Sequence, residues 1–205
     1  MPADLLDVVP VLPVVVVHRV DDAVPIARAL VAGGLPAIEL TLRTPVALDA
    51  IAAVAAEVPD ILVGAGTIVT PGQAKEAADA GARFLVSPGS TPSLLSAMTE
   101  TGLPFLPGVS TVSEVLSVLE TGQTSMKLFP AEAVGGRALL SSIASPVPAA
   151  RFCPTGGITA ATAASYLALA NVGCVGGSWL TPGDLVAARD WDGITALARE
   201  AAALR

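Results

Sequence analysis

Apolar, β-branched runs recur roughly every 20–30 residues, and an alanine-rich stretch of helical character follows each one. The runs at 11–17 (VLPVVVV), 37–42 (AIELTL), 61–66 (ILVGAG), 83–87 (RFLVS), 104–109 (PFLPGV), 125–129 (SMKLF), 151–155 (RFCPT) and 172–177 read as strands. Helices are expected at 22–33, 45–57, 71–81, 91–102, 111–121, 135–144 and 160–170, with a last helix inside 184–203. Thr44-Pro45, Thr70-Pro71 and Thr91-Pro92 each offer a capping hydroxyl followed by a proline suited to a first helical turn. Glycines at 33–34, 81, 102 and 122 mark helix ends.

Eight such strand–helix units predict a closed parallel (β/α)8 barrel, a TIM barrel, in a single domain over residues 1–205. The competing open, doubly wound sheet is weaker. No G-x-G-x-x-G opens a helix after the first strand. No linker, low-complexity segment or charge run divides the chain.

Composition narrows the function classes. The net charge of −7 argues against nucleic acid or an anionic membrane as partner, so any phosphate must be held locally. Charged residues make up 14% of the chain, a sparing surface that favours association with other subunits. No signal pattern or membrane-length apolar run is present, and Cys153 and Cys174 fit no metal-ligand spacing; a soluble, cytoplasmic protein with reduced thiols is expected.

Barrel chemistry sits at the carboxyl ends of the strands, which is where this chain places its unusual polar residues. Strand two carries Glu39, with Thr41 and Arg43 on the same face if the strand stays regular. Thr67 follows strand three, Ser87-Pro88-Gly89 ends strand four, and Lys127 lies inside the apolar strand six with Phe129 on its face. Thr155-Gly156-Gly157 ends strand seven and Gly176-Gly177-Ser178 ends strand eight. Each has an ordinary alternative. A strand lysine usually snorkels to water, Glu39 can pair with Arg43, and glycine pairs after strands are usually turns. His18 reads as a solvated rim residue, and both tryptophans as packing.

The combination says more than its members. An amine removed from water favours its neutral, nucleophilic form, while a nearby carboxylate favours the ammonium and supplies an acid/base. Glycine turns after the last two strands hold phosphate through backbone N–H groups, with no basic patch needed. This set suits Schiff-base chemistry on a phosphorylated carbonyl compound.

The segments IELTLRTP, VGAGTI, SPG, PGVSTVSE, KLFPAE, RFCPTGGI and GGSWL stand in the order and spacing of the 2-keto-3-deoxy-6-phosphogluconate (KDPG) and 4-hydroxy-2-oxoglutarate (KHG) aldolase family. The resemblance covers essentially the whole chain. It implies a homotrimeric, metal-independent class I aldolase without cofactor, acting on a phosphorylated keto acid and releasing pyruvate and glyceraldehyde 3-phosphate. Lys127 matches the Schiff-base lysine and Glu39 the general acid/base. Arg43, Thr67, Pro88, Phe129 and Thr155 match substrate-binding positions, and Gly156, Gly157, Gly176, Gly177 and Ser178 the phosphate-holding turns. Two departures stand out: some relatives carry an arginine near the end of the first strand, where this chain reads Val16-Val17-His18-Arg19, and the family's short N-terminal helix is hardly visible before Val8. Alternative readings are an aldolase for the phosphogalactonate epimer, a phosphate-binding isomerase or synthase without an imine, and a catalytically idle binding protein.

Overall fold

A computed structural model describes residues 4–204. Its strands are β1 (Val11–Val15), β2 (Ala37–Thr41), β3 (Leu62–Gly66), β4 (Leu85–Val86), β5 (Phe105–Leu106), β6 (Gly108–Val109), β7 (Ser125–Leu128), β8 (Arg151–Pro154) and β9 (Val175–Gly177). The helices are α1 (Val20–Ala32), α2 (Ala47–Glu57), α3 (Pro71–Asp79), α4 (Pro92–Glu100), α5 (Val112–Leu119), α6 (Gly136–Ala144), α7 (Ala160–Leu167), α8 (Gly183–Ala188) and α9 (Trp191–Ala202).

All strand pairings are parallel. Helices link the parallel strands and cover the sheet, so the strands are largely apolar, with Glu39, Thr41, Ser125 and Lys127 the buried polar residues of β2 and β7. Every residue of β1 and β2 is buried. The ladder is not one uninterrupted sheet. Six strands run in the order β5-β4-β3-β2-β1-β9, and a separate three run β6-β7-β8.

The predicted fifth strand is therefore two short ones, divided at Pro107. Proline has no N–H to give to a ladder. Its carbonyl still accepts from the Lys127 N–H at 2.9 Å, so the break changes which neighbour is paired: β5 bonds to β4 and β6 to β7. Across the other gap, isolated parallel bridges join Phe152 to Val172 and Thr155 to Gly176.

Of the three Thr-Pro pairs, two start helices as their local chemistry implies. Thr70 caps α3 in a reciprocal capping box with Gln73, and Thr91 caps α4, each with a proline in the first turn. Thr44 does not cap α2. Its hydroxyl donates to the Val17 carbonyl at 2.7 Å, tying the exit of β2 to that of β1, and the helix begins after Val46. The expected last helix is two helices. Arg189 ends α8 in the left-handed region (φ 54°), and the Asp190 carboxylate then accepts from the Gly193 N–H to start α9. A non-glycine residue in that conformation costs about 1–2 kcal/mol.

A short 3-10 turn, Leu5–Asp7, lies at the amino-terminal ends of β7 and β8. Asp4 accepts from Ser125 Oγ at 2.7 Å and pairs with Arg151 at 2.6 Å, while Asp7 pairs with Arg151 at 2.7 Å. These contacts raise the Arg151 guanidinium above its ordinary value, Asp7 contributing most. They hold the fully buried Leu6 against Gly173, a burial that contributes about 1.5–3 kcal/mol.

Candidate active site

Lys127 is the third residue of β7 and Glu39 the third of β2, on opposite parts of the sheet system. Their side chains meet: Lys127 Nζ lies 3.3 Å from Glu39 Oε1. Both residues are almost completely buried, at 2% and 1% exposure. An isolated charge at that depth is strongly disfavoured, and two opposite charges in hydrogen-bond contact offset one another. Glu39 is thus the partner of Lys127, and the alternative pairing with Arg43 does not form.

Small residues stand beside the pair in the sheet. Lys127 is flanked in register by Gly108 on β6 and Cys153 on β8, and Glu39 by Gly64 on β3. The room for the carboxylate itself is made by Gly66, at the end of β3. A Cβ on it would fall 2.1 Å from Glu39 Oε1, closer than real contacts permit. Gly66→Ala is therefore expected to displace the carboxylate from Lys127 and lower kcat by about 100-fold, since misplacement by an ångström has that effect. Overpacking should destabilise the fold by about 1–3 kcal/mol. Steady-state kinetics beside a thermal melt test this; an unchanged kcat would show that Glu39 needs no such room.

Four of the remaining predicted residues form two groups beside the pair. On one side, β2 ends at Thr41, whose hydroxyl donates to the Val15 carbonyl, and the chain bends so that Arg43 is exposed. Arg43 Nε donates to Thr67 Oγ1 at 3.0 Å. Thr67 has φ 60°, a conformation rare for a β-branched residue and one that concentrates at functional sites. The bend directs Thr67 toward the guanidinium while Glu39 stays buried. On the other side, the Phe129 ring lies with its centroid 5.4 Å from Lys127 Nζ, within cation–π range. Ser110 Oγ donates to the Phe129 carbonyl at 2.6 Å and holds this segment. Pro88 backs the site through its main chain, which packs directly on Gly108.

Thr155 is buried beside Cys153, its hydroxyl 3.4 Å from the Cys153 carbonyl, and it packs on Gly176. Gly156 and Gly157 form the bend after β8, with φ 101° and 83°, a conformation that only glycine adopts without strain. This bend is stitched to the exit of β7: Ala131 N–H donates to the Thr155 carbonyl at 2.8 Å and Glu132 N–H to the Gly156 carbonyl at 3.1 Å. Tyr166 on α7 clamps Glu132 through a 2.5 Å hydrogen bond. Burial, then the adjacent Glu132 carboxylate, pushes the phenol up to about 12, so it remains a donor throughout the neutral range. Gly176 and Gly177 are the last residues of β9, paired with Leu12 and Pro13, rather than part of a turn. The turn begins at the exposed Ser178.

Three features were not anticipated from sequence. Gly66 carries no local signal of the Glu39 carboxylate it makes room for, nor Gly108 of the Pro88 main chain that packs on it. The left-handed Thr67 leaves no mark in a single sequence. His18, read as a rim residue, lines a cleft with Ser178, Arg19, Asp22 and Arg189. Among the described residues, no group of three or more His, Cys, Asp or Glu side chains is placed to hold a metal ion.

A parallel α/β fold that buries an amine against a carboxylate between its strands is equipped for aldolase chemistry, and comparison with known proteins shows that class. The family model described as KDPG and KHG aldolase matches residues 3–197, and the chain is a member of that family. It is 54% identical over 192 residues to the KHG/KDPG aldolase of Escherichia coli K12, an alignment spanning 94% of this chain and 90% of that one. It is also 54% identical over 194 residues to the 2-dehydro-3-deoxy-phosphogluconate aldolase of Dickeya dadantii, covering 95% and 91% of the two chains. Among solved structures, KDPG aldolase from Legionella pneumophila, with pyruvate captured at low pH as a covalent carbinolamine intermediate, superposes with a TM-score of 0.94 at 45% identity over 96% of each chain.

Proposed function

We propose that this protein is a class I aldolase that cleaves 2-keto-3-deoxy-6-phosphogluconate to pyruvate and glyceraldehyde 3-phosphate. The observation that carries the reading is the buried contact between Lys127 Nζ and Glu39 Oε1 in a chain of this family. The covalent pyruvate carbinolamine of the Legionella relative supports it, because such an adduct is the step before an imine.

Lys127 passes a proton to Glu39, its Nζ attacks the ketone carbon, and Glu39 returns that proton to the hydroxyl that leaves. The carbinolamine loses water to leave a protonated imine, which draws electrons from the C3–C4 bond as it breaks. Glu39 accepts the C4 hydroxyl proton, and the released aldehyde carries the phosphate. The resulting enamine takes a proton at C3, and water then frees pyruvate and restores Lys127. The iminium serves as the electron sink, a role that metal ions take in other aldolases. Arg43 and Thr67 bind the carboxylate of the pyruvyl half, Phe129 and Pro88 wall the imine, and Thr155 adjoins the phosphate. The bend at Gly156-Gly157, with Gly176, Gly177 and Ser178, receives that phosphate.

The name of the Escherichia coli relative favours a second substrate, 4-hydroxy-2-oxoglutarate, cleaved to pyruvate and glyoxylate by the same steps. We read the two sheets as one closed eight-stranded (β/α)8 barrel in a single domain. The Pro107 carbonyl and the bridges at Val172 and Gly176 support closure at its two gaps. The working form is a cytoplasmic homotrimer. The low charged fraction supports association, and no helix among the described residues is long and apolar enough to cross a membrane.

Borohydride reduction in the presence of pyruvate tests the chemistry. The expected result is one reduced pyruvate adduct per chain, mapped to the peptide containing Lys127. An active protein that forms no adduct would remove the imine mechanism.

A further inference from the structure

We propose that Arg189 and Arg19, yoked by the buried Asp22, form an anion-receiving wall that sets the preference for a substrate bearing a terminal phosphate. This inference rests on the aldolase reading above and adds residues outside the glycine turns. A cleft of about 450 Å³ opens beside Ser178 and is lined also by Val14, Val16 and His18. Val14 is the register partner of Glu39, so its side chain projects from the same face of the sheet, and the cleft adjoins the site.

In a chain of net charge −7, this wall gathers two guanidiniums and an imidazole. Asp22, in the first turn of α1 and only 8% exposed, reaches Arg189 Nη2 at 3.7 Å and Arg19 Nε at 4.0 Å. The exposed Asp21 meets Arg19 at 3.6 Å but does not line the cleft. All three contacts are longer than a tight charged hydrogen bond, so the guanidinium N–H groups keep donors for an incoming anion.

The backbone supplies the second observation. Arg189 and Thr67 are the two non-glycine residues with positive φ among those described, and Thr67 stands in the candidate site. A left-handed helix end is ordinarily glycine or asparagine. Placing an arginine there sacrifices backbone comfort for a side chain that lines the cleft. A guanidinium fork matches phosphate geometry better than the shorter carboxylate end of 4-hydroxy-2-oxoglutarate, which lacks the reach.

Arg189→Gly removes the side chain and relieves the backbone, so its thermal midpoint should not fall. Inorganic phosphate binding by calorimetry should weaken about 10-fold or more, the loss expected for one charge-assisted contact. The ratio of kcat/KM for the phosphorylated over the unphosphorylated substrate should drop by a similar factor, and Arg189→Lys should recover part of it. Phosphate affinity and substrate ratio both unchanged would overturn the proposal, as would equal losses on the two substrates, the mark of a structural role. If the wild-type protein cleaves neither substrate, the aldolase reading fails, and phosphate affinity alone still decides whether the wall binds anions.

Discussion

Lys127→Met should leave no measurable aldol cleavage, with kcat lowered by at least about 10⁴-fold, the scale seen when a covalent nucleophile is removed. Methionine has nearly the length of lysine and fills the space between Gly108 and Cys153, so the change removes the amine rather than the packing. Among the described residues the other lysine, Lys75, is exposed on α3 and paired with Asp79, so pyruvate with borohydride should give no adduct at this position. The variant also strands the Glu39 carboxylate, buried at 1% exposure, without its partner. Breaking such a pair from one side destabilises by about 3–5 kcal/mol. The double variant Lys127→Met/Glu39→Gln should recover most of that stability and none of the activity. Denaturant unfolding of the two single variants and the double closes the cycle. Retained cleavage in Lys127→Met would reject the assignment of this lysine.

Glu39→Gln should lower kcat by about 10²–10⁴-fold, the usual contribution of a positioned acid/base, with KM changed only a few-fold. The amide keeps the shape that Gly66 accommodates and can still accept a hydrogen bond from Lys127. What it loses is the capacity to take the C4 hydroxyl proton and return one. Pyruvate adduct formation should slow but still map to Lys127, which separates this variant from Lys127→Met. A kcat equal to that of the wild type would assign the proton transfers to another group.

Much of this was written locally. The second, third and sixth predicted strands, found as β2, β3 and β7, lie within a residue or so of their runs, because buried parallel strands are largely apolar. Thr70 and Thr91 cap their helices as their sequences imply, since a cap needs only the next three residues. Thr44 shows the limit of that logic. Its hydroxyl had a competing acceptor, the Val17 carbonyl, which adjoins it only after β1 and β2 pair. Pro107 likewise divides its strand because the two flanking pieces face different neighbours, and Arg189 breaks the final helix where no glycine signals an end.

By itself the sequence determined the alternation of strands and helices, the residue types of the site and, through ordered motifs, the family. Those are properties of near neighbours along the chain, governed by periodicity and turn chemistry. Only the tertiary structure decided that Glu39 faces Lys127 rather than Arg43, that Gly66 makes room for the carboxylate, and that Asp22 gathers two arginines beside Ser178. Glu39 and Lys127 stand 88 positions apart, and the chain between them carries no local trace of their contact. Burying a charge is tolerable only when its partner is delivered to the same place, and strand register makes that delivery.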